Sequence, residues 1–550
     1  MKTEFRNARI IDPTHKLNGQ VASLWVEGKR IVDAPTGAEP ADKIIDLKGG
    51  LLLAGGIDIH THIGGGKVNV ARMLLSDLAE QDRSVWPTRR TGELYNNIGY
   101  TTCFEPAMLL PTARHTHLEL SDTPNIDSGA YIVLGNEDWL LRAIGQRVEN
   151  ATLDSLVAWA VSASRAMAVK VVNPGGISAF RFNQRSLDVD EQHTAFGVSP
   201  RDVVRRLCES VQRIGLPHPL HVHASNLGVP GNVRSTIQTL EASEGLPIHL
   251  THAQFNCYSD QGKFSMGSGA EELAKYVNEH KNVSLDVGQV VFGQTVTISA
   301  DTRAQYENRL HASPKRWTVN DVGCSAGCGA VPMRYQDEKY VHSLQWCIGL
   351  ELMLLVEDPW RVFLTTDHPN GGPFTCYPHL MRLLMDKSFR QSHVERLHPD
   401  AAANTLLREI DREYTLDEIA IATRAAPAKI LQMTDRGTLQ SGAVADLAAY
   451  RPMPDWEATF ANANYVMKSG QCVIAEGQPT CTNVACATLS ANIQYDASAI
   501  TGYRGELEQT LLHPLEQLQI SKCELDDMIR DRTLTSYSRI LQKNGARRGD

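Results

Sequence analysis

The chain has 550 residues, 42% of them hydrophobic and 21% charged, a balance close to that of globular proteins and far from collagen-like, disordered or disulfide-stapled chains. With 54 basic against 63 acidic side chains the net charge is −9, and no Lys/Arg block stands out, which argues against a nucleic-acid footprint or a polybasic membrane patch. This length predicts one large domain with a smaller companion and a sizeable buried core.

No apolar run approaches the roughly 20 residues a membrane-spanning helix needs. The best stretch, from Leu51 to Ile63, is interrupted by Asp58 and two histidines. The N-terminus carries charge with no apolar segment behind it, so a cytoplasmic location is expected. The eleven cysteines follow no secreted disulfide spacing and are expected to be mainly small buried hydrophobes.

Residues 4 to 35 alternate β-favouring runs with the turn pairs Asp12-Pro13 and Glu27-Gly28, which predicts hairpins in a small β unit. From Gly49 onward, short Val/Ile/Leu/Thr-rich runs alternate with helical stretches, the pattern of βα units around a parallel sheet. Candidate strands fall at 55–60, 101–106, 130–136, 167–173, 219–224, 247–253, 283–289 and 361–367. Eight such strands fit an α/β fold of the closed (β/α)8, TIM-like barrel type. The interval between the last two is longer than the others, implying an insertion at about 290–345. Within it Cys324 and Cys328 lack a second cysteine pair at zinc-site spacing and are read as part of a glycine-rich loop.

Residues 416–433 carry helical apolar spacing, and 437–450 read as a turn and a β run. The expected organisation is therefore a discontinuous β-rich domain from residues 1–48 and 430–480, a barrel at 49–429, and a C-terminal extension at 481–550 with its clearest helical stretch at 506–529.

His60 and His62 end the first predicted strand, where alternate residues share a face and barrel active sites lie. Lys170 sits in the apolar run of the fourth strand, where an ammonium is costly unless neutralised or paired. His223 lies near the end of the fifth strand, His252 ends the sixth and Asp367 the eighth. Each alone has a bland explanation: a hydrogen-bonded core histidine, a paired lysine, a helix-capping aspartate. Six on one rim point instead to a metal site. Asn173, Asn226 and Asn370 follow strands four, five and eight and could offer amides to a substrate, while the glycine-rich turns beside them read equally well as residues that serve only the turn. His218, His249 and His368 are not needed as ligands.

The order HxH, Lys, His, His, Asp resembles the amidohydrolase superfamily. Within it, GGIDIHTHIGGGKVNVAR, KVVNPGGIS, HASNLGVPGN, LDVGQVVFGQT and TTDHPNGGPF resemble the A subunits of formylmethanofuran dehydrogenase and of its bacterial counterpart, the formyltransferase/hydrolase complex. The likeness runs over roughly residues 5 to 450. It implies that Lys170 is carboxylated to a carbamate bridging two zinc ions. One ion would take His60, His62, the carbamate and Asp367, and the other the carbamate, His223 and His252. It further implies Asp367 as catalytic proton carrier, a formylated methanofuran-type carrier as substrate, and partners that include a formyltransferase subunit. The alternatives are a hydantoinase- or dihydroorotase-type enzyme, a catalytically silent scaffold and the condensing dehydrogenase subunit.

Overall fold

A computed structural model describes all residues except 37–39, 75–84, 185, 301–308, 313–328, 481–483, 522–523, 525–531 and 540–550. Cys324 and Cys328 lie outside the described residues.

Eight strands of a ten-stranded sheet form the barrel: β1 (Gly56–Asp58), β2 (Tyr100–Met108), β3 (Asp127–Leu134), β4 (Ala168–Val172), β5 (Leu220–His223), β6 (Ile248–Leu250), β7 (Val283–Asp286) and β8 (Val362–Phe363). Each pairs in parallel with the next in chain order. The residues past β1 and β8 meet through a parallel bridge between Thr61 and His368. There the His62 amide donates to the His368 carbonyl at 2.7 Å. The eight strands coincide with the eight expected from sequence. Runs such as AVKVV in β4 are buried throughout, as befits parallel strands covered on both faces.

The surrounding helices show local sequence logic. Pro200–Arg213 starts on a reciprocal capping box of Ser199 and Asp202 and buries Val203, Val204, Leu207 and Val211, an apolar stripe at helical spacing.

A second, nine-stranded sheet joins segments from both sides of the barrel sequence. Its centre is Leu51–Ala54, which lies past the boundary expected at residue 48 and runs directly into β1. This strand pairs with Leu447–Tyr450 on one side and Lys2–Ile10 on the other. In the C-terminal extension, Ala487–Ala491 adds in parallel to the start of β3, and Thr533–Tyr537 adds to it in turn. Of the helical stretch expected at 506–529, the described residues show a helix at Ala497–Leu511 that ends before Pro514 and a short one at Leu515–Leu518; residues 522–523 and 525–529 lie outside the described residues. Pro514 has no N–H to donate, and its ring disfavours a helical residue before it.

The insertion before β8 contains an antiparallel hairpin, Gly293–Ala300 with Gly329–Tyr335. Val296 packs on Val68, Val70, Ala71 and Val85, and Val331 and Met333 pack with Leu227 and Phe255. The Tyr335 hydroxyl donates to the Asn370 carbonyl at 3.2 Å. The hairpin thus rests on the loops at the carboxyl end of the barrel. Among the described residues no helix is long and apolar enough to cross a membrane.

Candidate metal centre

His60 and His62 leave β1 two residues apart. Glu105 of β2 holds the second ring: its Oε1 lies 2.8 Å from His62 Nδ1 while its Oε2 accepts from the amides of Ile63 and Gly64. With Nδ1 so engaged, His62 Nε2 lies 3.3 Å from Asp367 Oδ1, and His60 Nε2 lies 3.0 Å from the same oxygen. Lys170 Nζ comes from β4 to 3.4 Å from His60 Nε2. His223 and His252 meet with ring centroids 4.5 Å apart at 87°, and His252 is 5.6 Å from His60. All six side chains are at most 1% exposed, so bulk water does not screen them.

The backbone is bent to reach this arrangement. His252 (φ +37) and Asp367 (φ +47) both adopt left-handed conformations, as do Asn173 (φ +43) and Asn226 (φ +61). Each costs on the order of 1–3 kcal/mol and persists only where the surroundings enforce it. At His252 the enforcement is Asp286, at the end of β7, whose Oδ1 accepts from the His252 amide at 3.0 Å and from the Thr365 hydroxyl at 2.7 Å. Gly288 is the other device: a Cβ there would lie 2.5 Å from His252 Cβ and 3.3 Å from Asp367 Cβ. Only glycine lets the ends of β6 and β8 close on the centre.

Burial opposes ionisation of Asp367, but the facing imidazoles of His60 and His252 outweigh it and hold the carboxyl well below its ordinary range. Asp286 is held low in the same way by His60 and His249. Burial pushes His252 down to about 3, and burial together with neighbouring rings keeps His218 and His221 well below the usual imidazole value.

The donor set suits a divalent metal. The candidate ligand atoms of His60, His62 and Asp367 all lie within 4.8 Å of one another, and nitrogen and carboxylate donors are those that zinc and similar ions take. His252 Nε2 is buried with no hydrogen-bond partner among the described residues, an orphaned lone pair or proton that an ion would satisfy.

The amides flanking this centre differ. Asn370 is buried and its backbone N–H donates to the Asp367 carbonyl at 2.7 Å. The Asn173 N–H donates to the His223 carbonyl at 3.0 Å, whereas the Asn226 amide is turned to Asp188, 3.2 Å away. Sequence reasoning missed Glu105 and Asp286, single acids in the apolar runs TTCFEP and VSLD. It also set aside His218 and His249, which form a layer beneath the candidate ligands with His221.

Residues 43–480 match the amidohydrolase family. The chain belongs to that family. Among its relatives, the A subunit of the formyltransferase/hydrolase complex Fhc of Methylorubrum extorquens is 42% identical over 511 residues, covering 90% of this chain and 92% of that protein. Protein FwdA of Methanocaldococcus jannaschii is 36% identical over 508 residues, 87% and 88% of the two chains. The crystal structure of the M. extorquens FhcABCD complex with methylofuran matches this amidohydrolase at a TM-score of 0.91 and 39% identity, covering 98% of this chain and 99% of that one. D-aminoacylase, at 16% identity and a TM-score of 0.51, shares the fold. Family membership makes hydrolysis the general class of reaction.

Proposed function

We propose that this chain hydrolyses the N-formyl group of a formyl-methanofuran-type one-carbon carrier to formate and free amine, as the hydrolase subunit of a cytoplasmic formyltransferase/hydrolase complex. The observation that carries the reading is the buried convergence of His60 and His62 on the Asp367 carboxylate, with Lys170 against His60 and with His223 and His252 beside them. The similarity to the Fhc subunit over nine-tenths of the chain supports the partner subunits, and the methylofuran in the matching FhcABCD structure supports the carrier.

One divalent ion would be held by His60, His62, Asp367 and a carboxylated Lys170, and a second by that carbamate with His223 and His252. Such ions polarise a carbonyl and lower the pKa of water from near 15.7 toward about 7, giving a nucleophile at neutral pH. The protein's own contribution is proton transfer and order. Asp367 accepts the proton of the attacking water and delivers it to the departing nitrogen, a role typically worth about 10²- to 10⁴-fold in rate. Glu105 and Asp286 orient His62 and His252, and the hairpin above the mouth limits water. Asn173, Asn226 and Asn370 are proposed to position the carrier.

Formate release by the chain in its complex tests the reading, with formylated carrier, hydantoin and dihydroorotate as competing substrates. Turnover of the cyclic amides alone would overturn it in favour of a hydantoinase- or dihydroorotase-type enzyme. Purified protein with about zero zinc per chain would favour a silent scaffold. The similarity to FwdA favours one second reading, the same site run toward condensation in a formylmethanofuran dehydrogenase. Net formation of formylated carrier from formate would select it.

A further inference from the structure

Below the proposed ligands, His249 and Ser284 take no part in the chemistry above. β6 and β7 pair so that His249 lies beside Ser284. Asp286 follows Ser284 by two residues, on the same face and one step nearer the mouth. The His249 ring spans that step: its Nδ1 lies 2.9 Å from Ser284 Oγ and its Nε2 lies 3.1 Å from Asp286 Oδ2. The other carboxylate oxygen, Oδ1, accepts from the His252 amide at 3.0 Å and from the Thr365 hydroxyl at 2.7 Å. Thr365 in turn accepts from the Gly288 N–H at 3.0 Å. His249, Asp286 and Thr365 are at most 1% exposed.

These contacts are mutually consistent in their protons. A carboxylate only accepts, so His249 donates from Nε2, its Nδ1 is a lone pair, and the Ser284 hydroxyl donates to it. Both imidazole nitrogens are thereby engaged, and His249 has none left for an ion. Asp286 is held on both oxygens by groups from three successive strands: His249 of β6 on one side, Thr365 past β8 and the His252 amide past β6 on the other. A carboxylate bonded through one oxygen can turn about its own side-chain bonds, whereas one bonded through both is fixed.

We propose that His249, backed by Ser284, is a positioning residue of the metal centre: it fixes the rotation of the Asp286 carboxylate, and through it holds His252 in the conformation that presents its ring to an ion. His252 needs such a hold because its backbone is left-handed, at φ +37, a conformation that persists only where the surroundings enforce it. The same rotation places Asp286 Oδ2 3.6 Å from His60 Nδ1, so a second candidate ligand feels it too. Groups that orient the partners of metal-bound histidines act in this way, and their loss typically costs about 10- to 100-fold in metal affinity.

The inference rests on the metal reading but fails separately from it. Full-length protein stripped by a chelator is titrated with Co²⁺, reading affinity and the visible absorption bands of the bound ion. His249→Phe keeps a ring against His221 and Phe363 but has no nitrogen. It should bind Co²⁺ about 10- to 100-fold more weakly, with altered bands. His249→Gln, whose amide can donate to Asp286, should recover most of the affinity. Ser284→Ala removes only the outer bond and should shift both readouts in the same direction by less, and it decides the matter if His249→Phe fails to fold. Unchanged affinity and bands in His249→Phe or in Ser284→Ala, or a Gln variant as weak as Phe, would overturn the brace. Absence of Co²⁺ uptake by the unaltered protein would overturn the metal reading and the brace with it.

Discussion

Two clusters of buried ionisable groups lie at opposite ends of the barrel strands, and they are built on different logic. At the amino end, Asp127 opens β3, and its carboxylate faces Lys468 Nζ at 2.7 Å and Arg436 at 2.8 Å. Lys468 also reaches Asp446 at 2.6 Å. Backbone amides complete the set, Ala487 donating to Asp127 and Ser469 to Asp446. Every buried charge here faces an opposite one, Arg436 also pairing with Asp435 at 2.8 Å, and the cluster ties together barrel, second sheet and C-terminal extension. At the carboxyl end the polar groups converge on one carboxylate oxygen, two of the contributing residues sit in left-handed backbone, and His252 Nε2 has no hydrogen-bond partner among the described residues. A satisfied cluster holds a fold together. One that stores strain and leaves a donor set converging on a point is shaped for something else to complete it.

Breaking the mouth should therefore cost function before stability. Asp367→Asn should lower formamide hydrolysis by at least about 10²- to 10⁴-fold while the thermal unfolding midpoint stays near that of the parent. Formate release and calorimetry on the same sample check this, and near-normal turnover would remove Asp367 from proton transfer. Lys170→Ala should lower the metal content toward one ion or none per chain, measured by elemental analysis. Added short-chain carboxylic acids should restore part of it, because a carboxylate can occupy the place of a carbamate. Full occupancy without rescue would contradict the bridging lysine.

The two clusters also differ in how far they could be read from sequence. The eight strands were legible because each is a short β-branched or apolar run between helical stretches. The candidate ligands stood out in the sequence because they are polar residues at the ends of such runs. Height along the fifth strand was legible too. His221 and His223 share a face, but two residues separate them by about 6.6 Å along the strand, enough to put one in the ligand layer and the other in the row beneath. What the sequence did not show is the left-handed backbone at His252, which takes that residue out of the strand alternation. The amino-end cluster was invisible: Asp127, Arg436, Asp446 and Lys468 are far apart in sequence, and their pairing is a product of sheet topology. Pro514 was in view, yet the apolar periodicity around it outweighed its effect as a helix breaker.

The amino-end cluster supplies the converse test. Lys468→Met removes a fully buried cation that Asp127 and Asp446 both face and leaves Arg436 beside Asp127. Breaking a buried pair from one side typically costs about 3–5 kcal/mol, which urea unfolding at neutral pH should report, with the metal content of the folded protein unchanged. Acid sharpens the point. Burial opposes ionisation of Asp127, but Lys468 and Arg436 outweigh it and hold its carboxyl well below the ordinary 3.8. A carboxyl depressed in the folded state contributes stability above its unfolded pKa and loses it as the pH falls toward the folded one. In the Lys468→Met variant the depression is largely gone, so acid takes little from it. The stability gap between parent and variant should therefore hold from pH 7 to about pH 4 and narrow as the pH falls below that value. A gap that stays constant would mean that Lys468 acts through packing alone, and the contrast between a paired base and a ligand-seeking mouth would lose its electrostatic ground.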